Sequence, residues 1–266
     1  MKTTVKRILT AAFALVLLCM AAPTFSDNKI TPVTGTETVF LQSATGETIV
    51  WLDLASAERD FTVKRSGVKV TPGETGAYMI NFCKYYTIDG SDEESDYSKT
   101  GEWEPYSEES TRCNYCIGLA IEHPGTAKIS YKIGTKTYKR TLIVKAYTNP
   151  VSSITLTGVY KGKNFASKCK NKLPDQPKLS FPSTVSGATL KVKPKSGWLI
   201  CNAYLEDETV GRSYSIDSFN DPLSSVSLKV GKLDPTHSIY IDIDFVNAAT
   251  GAHLDWYFRI GTIIDD

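Results

Sequence analysis

A chain of 266 residues, 41% of them hydrophobic and 11% aromatic, is long enough for two domains of ordinary size. Its 30 Lys and Arg are balanced by 29 Asp and Glu, and three of the cations (Lys2, Lys6 and Arg7) crowd the N-terminus. That balance argues against a dedicated nucleic-acid binder, which shows a strong basic excess, and the lack of long helical patterns in a Gly-, Pro-, Thr- and Tyr-rich chain predicts an all-β protein.

The first element is a signal peptide, expected over residues 1–26 with cleavage after Ser26. Behind the three cations, residues 8–22 form an apolar run broken only by Thr10, too short to span a membrane as a helix. Lipidation at Cys19 is not expected, because the preceding Leu18 is not small. With no second apolar run, no transmembrane segment is expected. The protein is expected to be secreted, extracellular or at the cell surface, with the periplasm as the alternative.

A first domain is expected over residues 30–147. Strand patterns recur at 38–41, 48–54, 61–64, 68–71, 77–82, 85–88 and 116–121, separated by turn signals such as Pro72-Gly73 and Pro124-Gly125. This is the rhythm of a β-sandwich. Trp51 is expected in the core. The rhythm breaks at an acidic insertion, residues 89–112, with nine carboxylates between Asp89 and Glu109. So long a loop in a compact domain is either a solvated insertion or functional. As a recognition loop it would use Trp103 and Tyr106 as anchors, and carboxylates such as Asp92 and Glu93 to attract a basic partner or calcium. The spacing is not that of an EF-hand.

Cys83 lies before the insertion, Cys113 and Cys116 after it. In an exported protein a disulfide from Cys83 to either Cys113 or Cys116 would close the base of the loop. The Cys113-Asn-Tyr-Cys116 spacing is redox-like but lacks a βαβ context. A zinc site of Cys83, Cys113, Cys116 and His123 has suitable ligand types, but a single CxxC in an exported chain points to oxidation instead, so no metal is expected there.

Residues 126–133 alternate apolar and polar side chains, Gly134-Thr135 suits a tight hairpin turn, and residues 138–146 alternate again. Arg140 falls on the apolar side of that return strand, and its tip is expected to reach water at a rim. Asn149-Pro150 ends the strand, and a new one opens at Val151. Gly125-Thr126-Ala127, the Gly134 turn, Leu142 to Lys145, and Pro150 to Gly158 together resemble the junction between two bacterial immunoglobulin-like domains of group 2 (Big-type). The resemblance is confined mainly to residues 125–158. It implies two tandem Ig-like β-sandwiches and a non-catalytic binding or spacer role at a cell surface or in a secreted protein.

The second domain is expected over residues 150–263. A Lys-rich stretch, residues 161–178, reads as an exposed loop. Strands are expected at 178–181, 189–192, 197–204, 213–216, 226–230, 239–246 and 254–260. Cys169 and Cys201 form the economical disulfide here, with Trp198 placed to pack near it. In the last hairpin, pairing Val246 with His253 sets Asp244 opposite Asp255 and Asp242 opposite Tyr257 on the outer face. Directly opposed like charges are unfavourable. Asp242, Asp244, Asp255 and Tyr257 are therefore a candidate cation or sugar site, against the alternative that Arg259, a neighbouring strand's lysines or hydration relieves the repulsion.

The histidines, His123, His237 and His253, sit in no catalytic or metal motif, and no HExxH, G-x-S-x-G, phosphate loop or dinucleotide turn is present. The expectation is a non-enzyme that binds an extracellular protein or glycan, or serves as a spacer. A carbohydrate-binding or calcium-stabilised module is the first alternative, and a secreted hydrolase with an unrecognised site the second. No cofactor is expected beyond possible calcium.

Overall fold

The structure, a computed structural model, describes residues 29–43, 47–58, 60–87, 112–168, 179 and 183–261. Its strands up to residue 145 are β1 (Thr31–Pro32), β2 (Gly35–Phe40), β3 (Thr48–Ala57), β4 (Lys69–Thr71), β5 (Tyr78–Thr87), β6 (Arg112–Ile121), β7 (Gly125–Ile133) and β8 (Lys136–Lys145). From Val151 onward they are β9 (Val151–Leu156), β10 (Thr189–Pro194), β11 (Trp198–Asp207), β12 (Arg212–Asp217), β13 (Val226–Lys229), β14 (Ser238–Asn247) and β15 (His253–Gly261). The helical elements among the described residues are single 3₁₀ turns, so the protein is all-β as its composition predicts.

Four sheets form, in the orders β1-β3-β6-β5, β2-β8-β7-β4, β13-β10-β9 and β12-β11-β14-β15. Each takes its strands from one side of residues 146–150 only. By compactness the chain divides differently. A smaller unit comprises Met1–Val33, Asp53–Thr62 and Cys83–Cys116, and a larger one Thr34–Leu52, Val63–Phe82 and Ile117–Asp266.

In the larger unit, β14 and β15 follow the predicted alternation. Ile239, Ile241, Ile243 and Phe245 face inward with Leu254, Trp256, Phe258 and Ile260, all at most 2% exposed. They share one core with Ile154, Leu156, Leu190, Val192, Val226 and Leu228 of the facing sheet. Burying a side chain of this size contributes roughly 1.5–3 kcal/mol, so this shared core, not any single contact, holds the two sheets face to face. Of the Lys-rich stretch residues 161–168 are described, and Lys161, Lys163 and Lys168 are exposed. Phe165 within it is fully buried and meets Phe258 edge to face at 6.0 Å, while the Asn164 side chain accepts from the Ile154 and Ala166 N–H groups and pins the segment to β9.

Three other local expectations change. Residues 61–64 make only an isolated bridge, Val63 to Ile133. The strands expected at 77–82 and 85–88 are one strand, β5. Arg140 does not reach water: it is 8% exposed, because Glu37 on the adjacent strand β2 supplies a carboxylate for its guanidinium. Trp198 packs against Phe40, with ring centroids 4.9 Å apart and the rings tilted by 57°. In the smaller unit, β1 pairs with β3 through Thr31–Ser56 and Pro32–Ala55, and Tyr115 is buried with its hydroxyl donating to the Phe61 carbonyl.

Candidate functional site

The Trp51 expectation is overturned. Its position on β3 turns it outward and leaves it 53% exposed, with Ile49 at 55% on the same face. The six-membered ring of Trp51 and the Ile80 side chain rest against Gly118 of β6, close enough that a Cβ there would have them shift by a few tenths of an ångström. Leu52 faces the core instead, at 2% exposed. The period of two was legible in the sequence; which of its two faces was buried was not, since Ile49 and Trp51 are as apolar as Val50 and Leu52.

Trp51 forms one wall of a groove of about 540 Å³. Residues 36–40 of β2 form a second wall, and residues 250–253, the turn into β15, close one end. Gln42, also on the groove, accepts a hydrogen bond from the Asp255 N–H at 3.1 Å. The Glu37–Arg140 ion pair borders the groove, and His253 lends it an imidazole whose Nδ1 lies 3.1 Å from Asp244.

His253 links the groove to the predicted carboxylate face. The register there is the one the alternation predicts: Val246 pairs with His253, Asp244 with Asp255, and Asp242 with Tyr257. The structure also adds residues that two-strand reasoning misses. β11 sets Asn202 opposite Asp244 and Tyr204 opposite Asp242. The rings of Tyr204, Tyr240 and Tyr257 follow one another at 6.3 Å spacings. Only the strand order of the sheet could have revealed these.

The carboxylates repel one another. Burial pushes the Asp242 carboxyl up to about 6, helped by the charges of Asp255 and Asp244. Burial raises Asp244 too, against the opposing pull of its hydrogen bond to His253, and likewise raises Asp255. Asp242 Oδ1 is buried with no hydrogen-bond partner among the described residues. The Arg259 guanidinium is engaged by Glu208 at 2.9 Å and lies over the Tyr240 ring. Among the described residues no group of three or more His, Cys, Asp or Glu is arranged to hold a metal ion.

Cys83, Cys113, Cys116 and Cys201 are all buried. Cys113 and Cys116 lie on β6, so the CxxC is part of an extended strand and not a turn at a helix start. Burial pushes the Cys113 thiol up to about 11, the reverse of the low value a redox-active cysteine needs. Cys201 falls where the register between β11 and β14 shifts, and burial with the nearby Asp244 pushes it up to about 11 as well. His123 is exposed beside Glu122. Asp92, Glu93, Trp103, Tyr106 and Cys169 lie outside the described residues.

No family model matches the chain, and no curated protein matches it. Among solved structures, domains 4–9 of the surface layer protein SbsC are 14% identical over 88% of this chain and 31% of theirs, with a TM-score of 0.27. The chain thus spans about a third of that fragment. SbsC domains 5–6 are 13% identical over 90% and 98%, TM-score 0.24, and a chimeric titin Z1Z2 is 12% identical over 89% and 97%, TM-score 0.21. Among the described residues no helix is long and apolar enough to cross a membrane.

Proposed function

We propose that this is an exported, non-catalytic protein of two tandem Ig-like sandwiches, related to the bacterial group 2 type, that binds an extracellular protein or glycan through the groove beside Trp51. The observation that carries the reading is Trp51 itself. A large aromatic left 53% exposed at the lip of a groove is a binding feature, because aromatic side chains in such positions dominate recognition energetics. The groove's titratable groups serve local pairing: Glu37 is held by Arg140 and His253 by Asp244. The test is capture of cell-surface extract proteins and of arrayed glycans by the full chain and by Trp51→Ala. Binding should fall by about tenfold or more in the variant, as for an aromatic hot spot; equal capture would remove the groove from consideration.

A second reading, a sugar- or calcium-binding face at Asp242, Asp244, Asp255 and Tyr257, is favoured by the unpartnered Asp242 oxygen. A bound cation would relieve the carboxylate repulsion. A calcium titration of the melting temperature and glycan binding by Asp244→Ala test it; no shift together with no loss of binding would end it.

A further inference from the structure

We infer that the groove takes an extended polypeptide segment, added as a strand to the free edge of β2. The inference deepens the proposed binding role and rests on it.

Among the described residues β2 is an edge strand. It runs parallel to β8, from Gly35 opposite Arg140 to Phe40 opposite Lys145, and is the terminal strand of its sheet. The Leu41 N–H donates to the Lys145 carbonyl at 3.0 Å. Backbone groups alternate sides along a strand, so Gly35, Glu37 and Val39 also face β8. Thr36, Thr38 and Phe40 then direct their N–H and C=O groups away from it. The groove touches residues 36 through 40 consecutively, whichever way their side chains point. Only a cavity running along the strand's edge can do that. Five residues at about 3.3 Å each make an edge of about 16 Å.

The opposite wall is also backbone-rich. Ile49, Val50 and Trp51 of β3 line it consecutively. Among the described residues the fold thus leaves the edge of β2 open beside a half-exposed aromatic. Strand addition takes its affinity from main-chain hydrogen bonds and its specificity from pockets for alternate side chains. Here Ile49 and Trp51 would receive an apolar side chain.

The test selects linear octapeptides from a random phage-displayed library on the immobilised full chain, then synthesises the best binder as the probe. Its affinity is measured for the wild type, Thr38→Ala, Thr38→Pro and Trp51→Ala. Proline at 38 removes an N–H that faces the groove and leaves the β8 ladder intact, as edge strands allow. Strand addition predicts a loss of about tenfold or more with Thr38→Pro and little change with Thr38→Ala. A peptide N-methylated at alternate residues should lose binding to the wild type similarly, and this arm decides the matter should Thr38→Pro fail to fold. Selection of no peptide, or equal affinity for Thr38→Pro and for the N-methylated probe, overturns the inference. In that event a glycan still lost on Trp51→Ala would leave the groove as the binding site, whereas capture untouched by Trp51→Ala would remove both.

Discussion

Asp242→Asn should make the protein more stable at neutral pH. A rise of the carboxyl from 3.8 to about 6 corresponds to about 3 kcal/mol at 1.36 kcal/mol per pH unit. The face is still partly wet, and screening leaves about 1–2 kcal/mol. The sign follows from linkage. The folded chain binds this proton more tightly than the unfolded chain, so stability is highest below about pH 4, falls as the pH rises through about 6, and stays reduced above. Asparagine keeps the shape and loses the charge. Thermal melts of the two proteins in chelator at pH 4 and 7.5 should show a gain of about 2–6 °C at pH 7.5 that shrinks toward zero at pH 4. A lower melting temperature for the variant at pH 7.5, or a gain independent of pH, would refute the electrostatic account of this face.

Three further outcomes follow from particular contacts. Glu37→Gln takes the carboxylate from a guanidinium that is 8% exposed, and urea unfolding should show a loss of about 2–4 kcal/mol, largely recovered in Glu37→Gln with Arg140→Met. Gly158→Ala should cost about 1–3 kcal/mol in the same assay, because Gly158 has φ +86 and a Cβ there would collide with the Val185 side chain. If Cys83 pairs with Cys113 or Cys116, and Cys169 with Cys201, peptide mapping without reductant should recover crosslinked peptides. Alkylation of Cys83, Cys113, Cys116, Cys169 and Cys201 after unfolding without reductant would show that they are thiols.

The elements with strict alternation were legible in the sequence. β7, β8, β14 and β15 each bury one apolar face, and with only one face to bury the register of the last hairpin was fixed down to the Asp244–Asp255 pair. β3 was not legible in the same way, because apolar residues occupy both its faces. Only packing, with Leu52 and Leu54 inward, showed Trp51 to be outward. Arg140 misled for a related reason: its partner Glu37 is 103 residues away, on a strand whose parallel pairing no local pattern announces. The groove was invisible in principle, since it is made between Trp51 of β3 and residues 36–40 of β2, a strand placed by its long-range parallel pairing with β8.

The most direct measurement is hydrogen exchange of the full chain with a captured ligand bound. The account predicts slowed exchange at the Thr36, Thr38 and Phe40 amides, which face the groove. Unchanged exchange there, with protection confined to β14 and β15 or to residues outside the groove, would contradict it.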